Sequence, residues 1–175
     1  MTRPASLPAR WRRLGPQGRA LLREALLALV GARLAILLLP FRRVAGRASR
    51  PPKGVVRHGT PEEIGALRWA IRAVARRAPF RALCFEQGLA AQAMLRRRGI
   101  ASTLYYGVGK PGGGAFAAHV WVRAGSEDVI GTEGCERFSV VAVFPEPELE
   151  PRPAGPATGH WPVAGRADHQ APPPH

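Results

Sequence analysis

The segment P-F-R-A-L-C-F-E-Q-G-L-A-A-Q-A-M-L-R-R-R-G-I-A-S-T-L-Y-Y-G-V-G-K-P-G-G-G-A-F-A-A-H-V-W (Pro79–Trp121) holds one Cys at the start of a predicted helix and one His near the start of a predicted strand. From Cys84 to Arg98 only Gly88 opposes a helix, and Gly99 supplies the left-handed residue that commonly ends one. Residues 84, 88, 91 and 95 share a face that reads Cys, Gly, Ala, Leu, so another element can approach closely near the thiol. A helix N-terminus carries unpaired N–H groups and a partial positive charge. Both suit negative charge developing beside them, and a nucleophilic Cys is best placed there. Ser102–Val108 and Ala115–Arg123 are rich in β-branched and aromatic residues and read as strands, with Lys110–Gly114 as the turn between them. Alternation puts His119, Trp121 and Arg123 on one face of the second strand, and Val120 and Val122 on the other. If the His119 face meets the start of the Cys84 helix, imidazole and thiol form the proton-transfer pair of papain-like catalysis. The ordinary alternative is a small buried Cys and a structural His.

Toward the N-terminus, Met1–Pro16 is basic and punctuated by Pro, and Gln17–Phe41 carries a long run of apolar residues at three- and four-residue steps, which predicts a helix. Arg33 leaves about eight uncharged residues on either side of itself, against the ~20 that a membrane span needs. A core helix, or one lying on a partner or membrane surface, is therefore expected, and a peripheral membrane contact is open to it. Arg42–Thr60 reads as a basic connector. Thr60, Pro61 and Glu63 then form a helix start, with a hydroxyl N-cap, Pro in the first turn and Glu at the third position. Ile64, Leu67, Ala70, Ile71 and Val74 supply the apolar stripe of that helix, which ends before Pro79.

Beyond Trp121, D-V-I (128–130) and the continuous apolar run Phe138–Phe144 predict two more strands, the last one buried. Three helices followed by about four strands argue an α+β fold, with helices on one face of a mainly antiparallel sheet. The expected organisation is an N-terminal helix and connector over residues 1–60, a catalytic core over 61–145, and a Pro-rich tail without apolar periodicity over 146–175.

The 175 residues suffice for one domain with a sizeable core, and the formal charge is +14, almost all of the excess being Arg. That charge points to an anionic partner or to an arginine-rich proteome. Two Cys are too few for a disulfide framework and lack metal-ligand spacing, which fits a reducing, cytoplasmic setting with Cys84 as a free thiol. Cys135 reads as structural. His58 reads as a surface or core residue, and His160, His169 and His175 are scattered through the tail without forming a metal site. Arg96, Arg97 and Arg98 form a charge run, but only Tyr105 and Tyr106 lie near it and no nucleic-acid motif is present. A solvated helix end is the better reading, although a basic nucleic-acid-binding protein stays among the alternatives.

The combination C-F-x-x-G-L-A-x-x-x-M-L-R-R-R-G (84–99) with A-H-V-W-V (118–122) resembles the transglutaminase-like leader peptidases of lasso-peptide biosynthesis, the separate B proteins of that family. The resemblance runs from about Trp11 to Pro145 and includes a Leu-rich N-terminal helix ending in P-F-R-R. It implies a transglutaminase-like cysteine peptidase with Cys84 as nucleophile and His119 as general base, requiring no metal or organic cofactor. It also implies a precursor peptide as substrate, a separate leader-binding protein and an ATP-dependent lasso cyclase as partners, and no nucleic acid. Too few residues precede the Leu-rich helix for an added leader-binding domain, so leader recognition is expected in trans. The acid that orients the imidazole falls by register near Gly131, which has no side chain. Asp128 and Glu133 flank it, and Asp128 is the favoured third catalytic residue. A dyad, with the imidazole held by a backbone carbonyl or water, is the other arrangement. A non-catalytic peptide-binding module with a decayed triad is the alternative from another functional class.

Overall fold

The computed structural model describes residues 15–145 except Lys53. The expectations for the basic N-terminal segment up to residue 14 and for the tail 146–175 lie outside the described residues. Four helices precede a four-stranded sheet: α1 (Pro16–Leu38), α2 (Phe41–Ala48), α3 (Pro61–Ala75), α4 (Cys84–Arg97), β1 (Thr103–Gly109), β2 (Ala117–Ala124), β3 (Glu127–Ile130) and β4 (Ser139–Phe144). The sheet order is β3-β2-β1-β4 and every strand pair is antiparallel. This is the expected α+β arrangement.

The Leu-rich helix stops where Pro40 forces Leu39 into an extended conformation. The chain then re-enters a helix, α2, in a segment that reads as connector. Its buried residues are Val44 and Ala48, one turn apart. α3 begins with the expected capping box. The Thr60 hydroxyl accepts from the Glu63 N–H at 3.3 Å, and the Glu63 carboxylate accepts from the Thr60 N–H at 3.0 Å. Arg57 adds a two-pronged contact to the same carboxylate, 2.8 Å on each side, and this holds Glu63 well below the ordinary carboxylate range, at about 2.

One core joins the helices to the sheet. Leu22, Ala25 and Leu29 of α1 pack with Ile64 and Leu67 of α3, with Met94 and Leu95 of α4, and with Leu104, Val120 and Val122 of the sheet. The residues before position 60 thus share their interior with those after it. α4 lies against β2 at Gly88, where an added Cβ would sit 2.7 Å from Val120 Cγ1 and 3.2 Å from Leu104 Cδ1. The opposite sheet face carries a smaller aromatic layer: Tyr105 stacks on Trp121 at 5.5 Å, and Trp121 and Phe138 cover Gly107. β4 is an edge strand with Val140 and Val141 exposed, so it is not the buried strand its apolar run suggests. Continuous apolarity records hydrophobicity, whereas the end of the sheet order decides burial.

Gly88→Ala should destabilise the fold by about 1–3 kcal/mol, because the new methyl meets a β-branched side chain on a strand that cannot retreat. Denaturant unfolding should show a lower midpoint with an unchanged slope. Thr60→Ala should cost about 1 kcal/mol. Glu63 has a depressed folded-state value, so its contribution is present above the ordinary carboxylate range and is lost as pH falls through about 2. The stability gap between wild type and Glu63→Gln should accordingly hold near neutrality and close between the ordinary value and pH ~2. A gap independent of pH would refute that assignment.

Candidate active site

Cys84 is the first residue of α4, half-buried and free of any disulfide. Leu83, the residue at the helix cap, has no side chain able to accept a hydrogen bond, so no side-chain cap covers the first turn. The N–H groups there are left for another acceptor. Two side chains of that turn fix its position. Gln87 Nε2 donates to the Ala82 carbonyl at 2.8 Å, which ties the incoming loop to the helix. Glu86 is almost fully buried and pairs with Arg33 of α1 at 2.9 Å, its carboxylate at the positive end of α4. Neither residue stands out in the sequence as part of a site. The one signal is that Arg33 interrupts an apolar helix and needs an acidic partner.

His119 lies near the start of β2, opposite Gly107 of β1. Its Nε2 is 2.6 Å from the Gly131 carbonyl oxygen, just beyond β3. A carbonyl can only accept, so Nε2 donates, and in the neutral ring Nδ1 keeps its lone pair. The ring leans on Phe138 with centroids 5.0 Å apart and on Trp121 at 6.0 Å. It thus belongs to the aromatic face of the sheet.

α4 covers the other face, through Val120 and Val122 at Gly88. The expected meeting of the His119 face with the Cys84 helix therefore does not take that form. Glycine at 88 lets α4 settle on the valine side of β2, and strict alternation turns His119 away from the body of the helix. The two elements do converge at one end of the sheet. Phe85 makes an edge contact with Tyr106 at 6.3 Å, and Tyr106 pairs with Val120, next to His119. Among the described residues no hydrogen bond joins the Cys84 thiol to the imidazole.

The acid expected from Asp128 is engaged elsewhere. Asp128 lies opposite Arg123, and its carboxylate accepts from Arg123 Nε at 2.9 Å. Arg123 is four residues along β2 from His119, about 13 Å at the strand rise, which is beyond the reach of an Asp side chain. Glu133 is bound by Arg72 of α3, and that contact lowers its carboxyl below the ordinary range. Among the described residues, the group that contacts His119 Nε2 is the backbone carbonyl of residue 131. Gly131 has φ +73°, and a Cβ there would run into the Val120 carbonyl, so the carbonyl can face His119 only with glycine at this position. α3 steadies the same segment, because Arg68 donates to the carbonyls of Asp128 and Val129. Arg68 thus holds the backbone of β3 and Arg72 the Glu133 side chain, and no linear motif reveals either contact. The two arginines sit one turn apart on α3, and what they hold lies some 60 residues away.

In chemical terms the site offers a thiol at an uncapped helix start and an imidazole whose outer nitrogen is anchored and whose inner nitrogen is available as a base. Comparison with known families gives a match to the model described as the Transglutaminase-like superfamily, over residues 26–143. No curated protein and no solved structure matches the chain significantly. The matched span runs from within α1 to the last strand, about two-thirds of the 175 residues, and encloses both Cys84 and His119. The chain belongs to the transglutaminase-like superfamily.

Proposed function

We propose that this protein is a cysteine peptidase that removes the leader from a ribosomally made precursor peptide during lasso-peptide maturation. The observation that carries the reading is the His119–Gly131 hydrogen bond, which fixes the imidazole as an Nε2–H tautomer with Nδ1 as the free base. Membership in a superfamily that includes cysteine peptidases supports the chemistry. The leader specificity rests on the likeness of the 84–99 and 118–122 motifs to the lasso B proteins.

In this mechanism His119 Nδ1 takes the Cys84 proton as sulfur attacks the scissile carbonyl. The oxyanion is stabilised by the Cys84 N–H and its neighbours in the uncapped first turn. The imidazolium then returns its proton to the departing amine, which leaves an acyl-thioester. Water, deprotonated by the same Nδ1, hydrolyses that ester and regenerates the thiol. Thiol and Nδ1 have to come within hydrogen-bond reach when substrate is seated, and such contacts commonly tighten only in the substrate complex. Gly131, steadied by Arg68 through the β3 backbone, substitutes for the third catalytic side chain. Leader recognition and cyclisation belong to a separate leader-binding protein and an ATP-dependent cyclase, and the setting is the cytoplasm.

A second reading is a non-catalytic peptide-binding module of the same fold. The placement of His119 on the sheet face away from α4 favours it. Thiol chemistry separates the two, because a catalytic Cys84 reacts rapidly with iodoacetamide near neutral pH, and substrate peptide protects it.

With precursor and leader-binding protein supplied, Cys84→Ala and His119→Ala should each abolish leader cleavage, as followed by mass spectrometry, while melting normally. Full activity in either variant would reject the peptidase assignment. Asp128→Ala and Glu133→Ala should stay within about threefold of wild type, since each carboxylate serves a partly exposed ion pair. Gly131→Ala should lower kcat by on the order of 10²-fold or more with little change in KM, because it displaces the carbonyl that sets the tautomer. A loss of activity on Asp128→Ala as large as on His119→Ala would restore the triad.

A further inference from the structure

The outward face of α1 is apolar and uncovered. Leu27, Leu34, Leu37 and Leu38 are exposed, up to 73 % for Leu38, and Phe41 follows them at 57 % across the Pro40 break. From Ala25 to Phe41 the one charged residue is Arg33. Its partly exposed guanidinium is paired with the buried Glu86, so the outer face keeps no unpaired charge between Ala25 and Phe41. At 1.5 Å per residue, Leu26 to Leu38 make a stripe about 18 Å long. A folded chain rarely leaves so continuous an aliphatic surface to water.

Cations sit at both ends of this stripe. Arg23 is exposed at one end, and Arg42 and Arg43 at the other. Among the described residues none of the three has a carboxylate partner. Glu24, the nearest acid, is taken up by Arg97 and Arg98. An antiparallel pairing of two copies along the stripe would set Arg23 of one against Arg42 and Arg43 of the other, in a chain that carries +14 overall. A protein partner would ordinarily meet aromatic anchors and a hydrogen-bonding rim, whereas this stripe is almost wholly leucine. No described helix is long and apolar enough to cross a membrane.

We propose that α1 is an interfacial helix that lays the Leu27–Leu34–Leu38–Phe41 stripe into an anionic lipid surface, with Arg23, Arg42 and Arg43 on the headgroups. Aliphatic side chains enter the acyl boundary in the membrane plane, and guanidinium groups pair with phosphates above it. The contact is independent of the peptidase site, because Cys84 and His119 take no part in it.

Flotation of the full-length protein with phosphatidylglycerol-containing vesicles tests the proposal, against vesicles of phosphatidylcholine alone. Binding should favour the anionic vesicles and weaken as salt rises. Leu34→Gln with Leu38→Gln should reduce it by at least about tenfold, because both side chains leave the bilayer. Arg42→Gln with Arg43→Gln should remove the preference for anionic lipid, and Arg76→Gln with Arg77→Gln, which takes the same charge from the end of α3, should not. Binding indifferent to the leucine pair would show charge attraction alone and overturn the proposal. Equal losses from both arginine pairs would overturn it too. Failure to float, together with self-association that the leucine variant abolishes, would assign the stripe to a second copy instead.

Discussion

The contact between Gly88 of α4 and Val120 of β2 governs the arrangement of this protein. A helix and a strand can come this close only where one side chain is missing, and the valine methyl occupies the place a Cβ would take. That contact commits Val120, Val122 and Leu104 to the helical core and leaves the alternate residues, His119 and Trp121, to the other face. It also sets where the helix starts. Cys84 lies one turn before Gly88, at the end of the sheet where β2 begins. The chemistry available to the thiol follows from this one packing choice.

Arginine does much of the remaining work, and the high positive charge looks different once its partners are known. Arg33 neutralises the buried Glu86 and ties α1 to the start of α4. Arg98 grips Glu24 across the helical layer, and Arg57 reinforces the cap of α3. Arg68 holds two backbone carbonyls of β3, and Arg72 holds the Glu133 side chain that follows it. A planar guanidinium can satisfy several acceptors at once, so one residue type serves as ion pair, carbonyl clamp and loop anchor. The acids are few and mostly engaged in this way. Among the described residues, Arg23, Arg42 and Arg43 at the ends of the exposed leucine stripe have no carboxylate partner, and neither do Arg76 and Arg77 at the end of α3.

A backbone carbonyl in place of an acid changes what the imidazole can do. A carboxylate both orients the ring and stabilises its charged form, whereas a neutral carbonyl gives orientation with weaker charge stabilisation. The glycine that makes this possible is held between the Val120 carbonyl and the loop fixed by α3. The imidazole is therefore held by main chain, itself steadied by a side chain from a helix distant in sequence.

Local physics wrote several features directly into the chain. The Thr60–Glu63 capping box, the end of α4 at Gly99 and the alternation of His119 with Val120 each depend on a few neighbouring residues, and each is present as read, whereas the helix expected over Gln17–Phe41 stops at Leu38, ahead of Pro40. Only two residues of α2, Val44 and Ala48, are buried, and its eight residues in a basic stretch are too few for periodicity to register. Which face of β2 meets α4 depended on the fit of two elements about 30 residues apart. Packing between distant elements likewise set the exposure of β4 and the pairing of Arg33 with Glu86, whereas the diversion of Asp128 to Arg123 followed from the register of the β2–β3 hairpin. Spacing along a chain specifies which residues share a face, but only packing decides what that face touches.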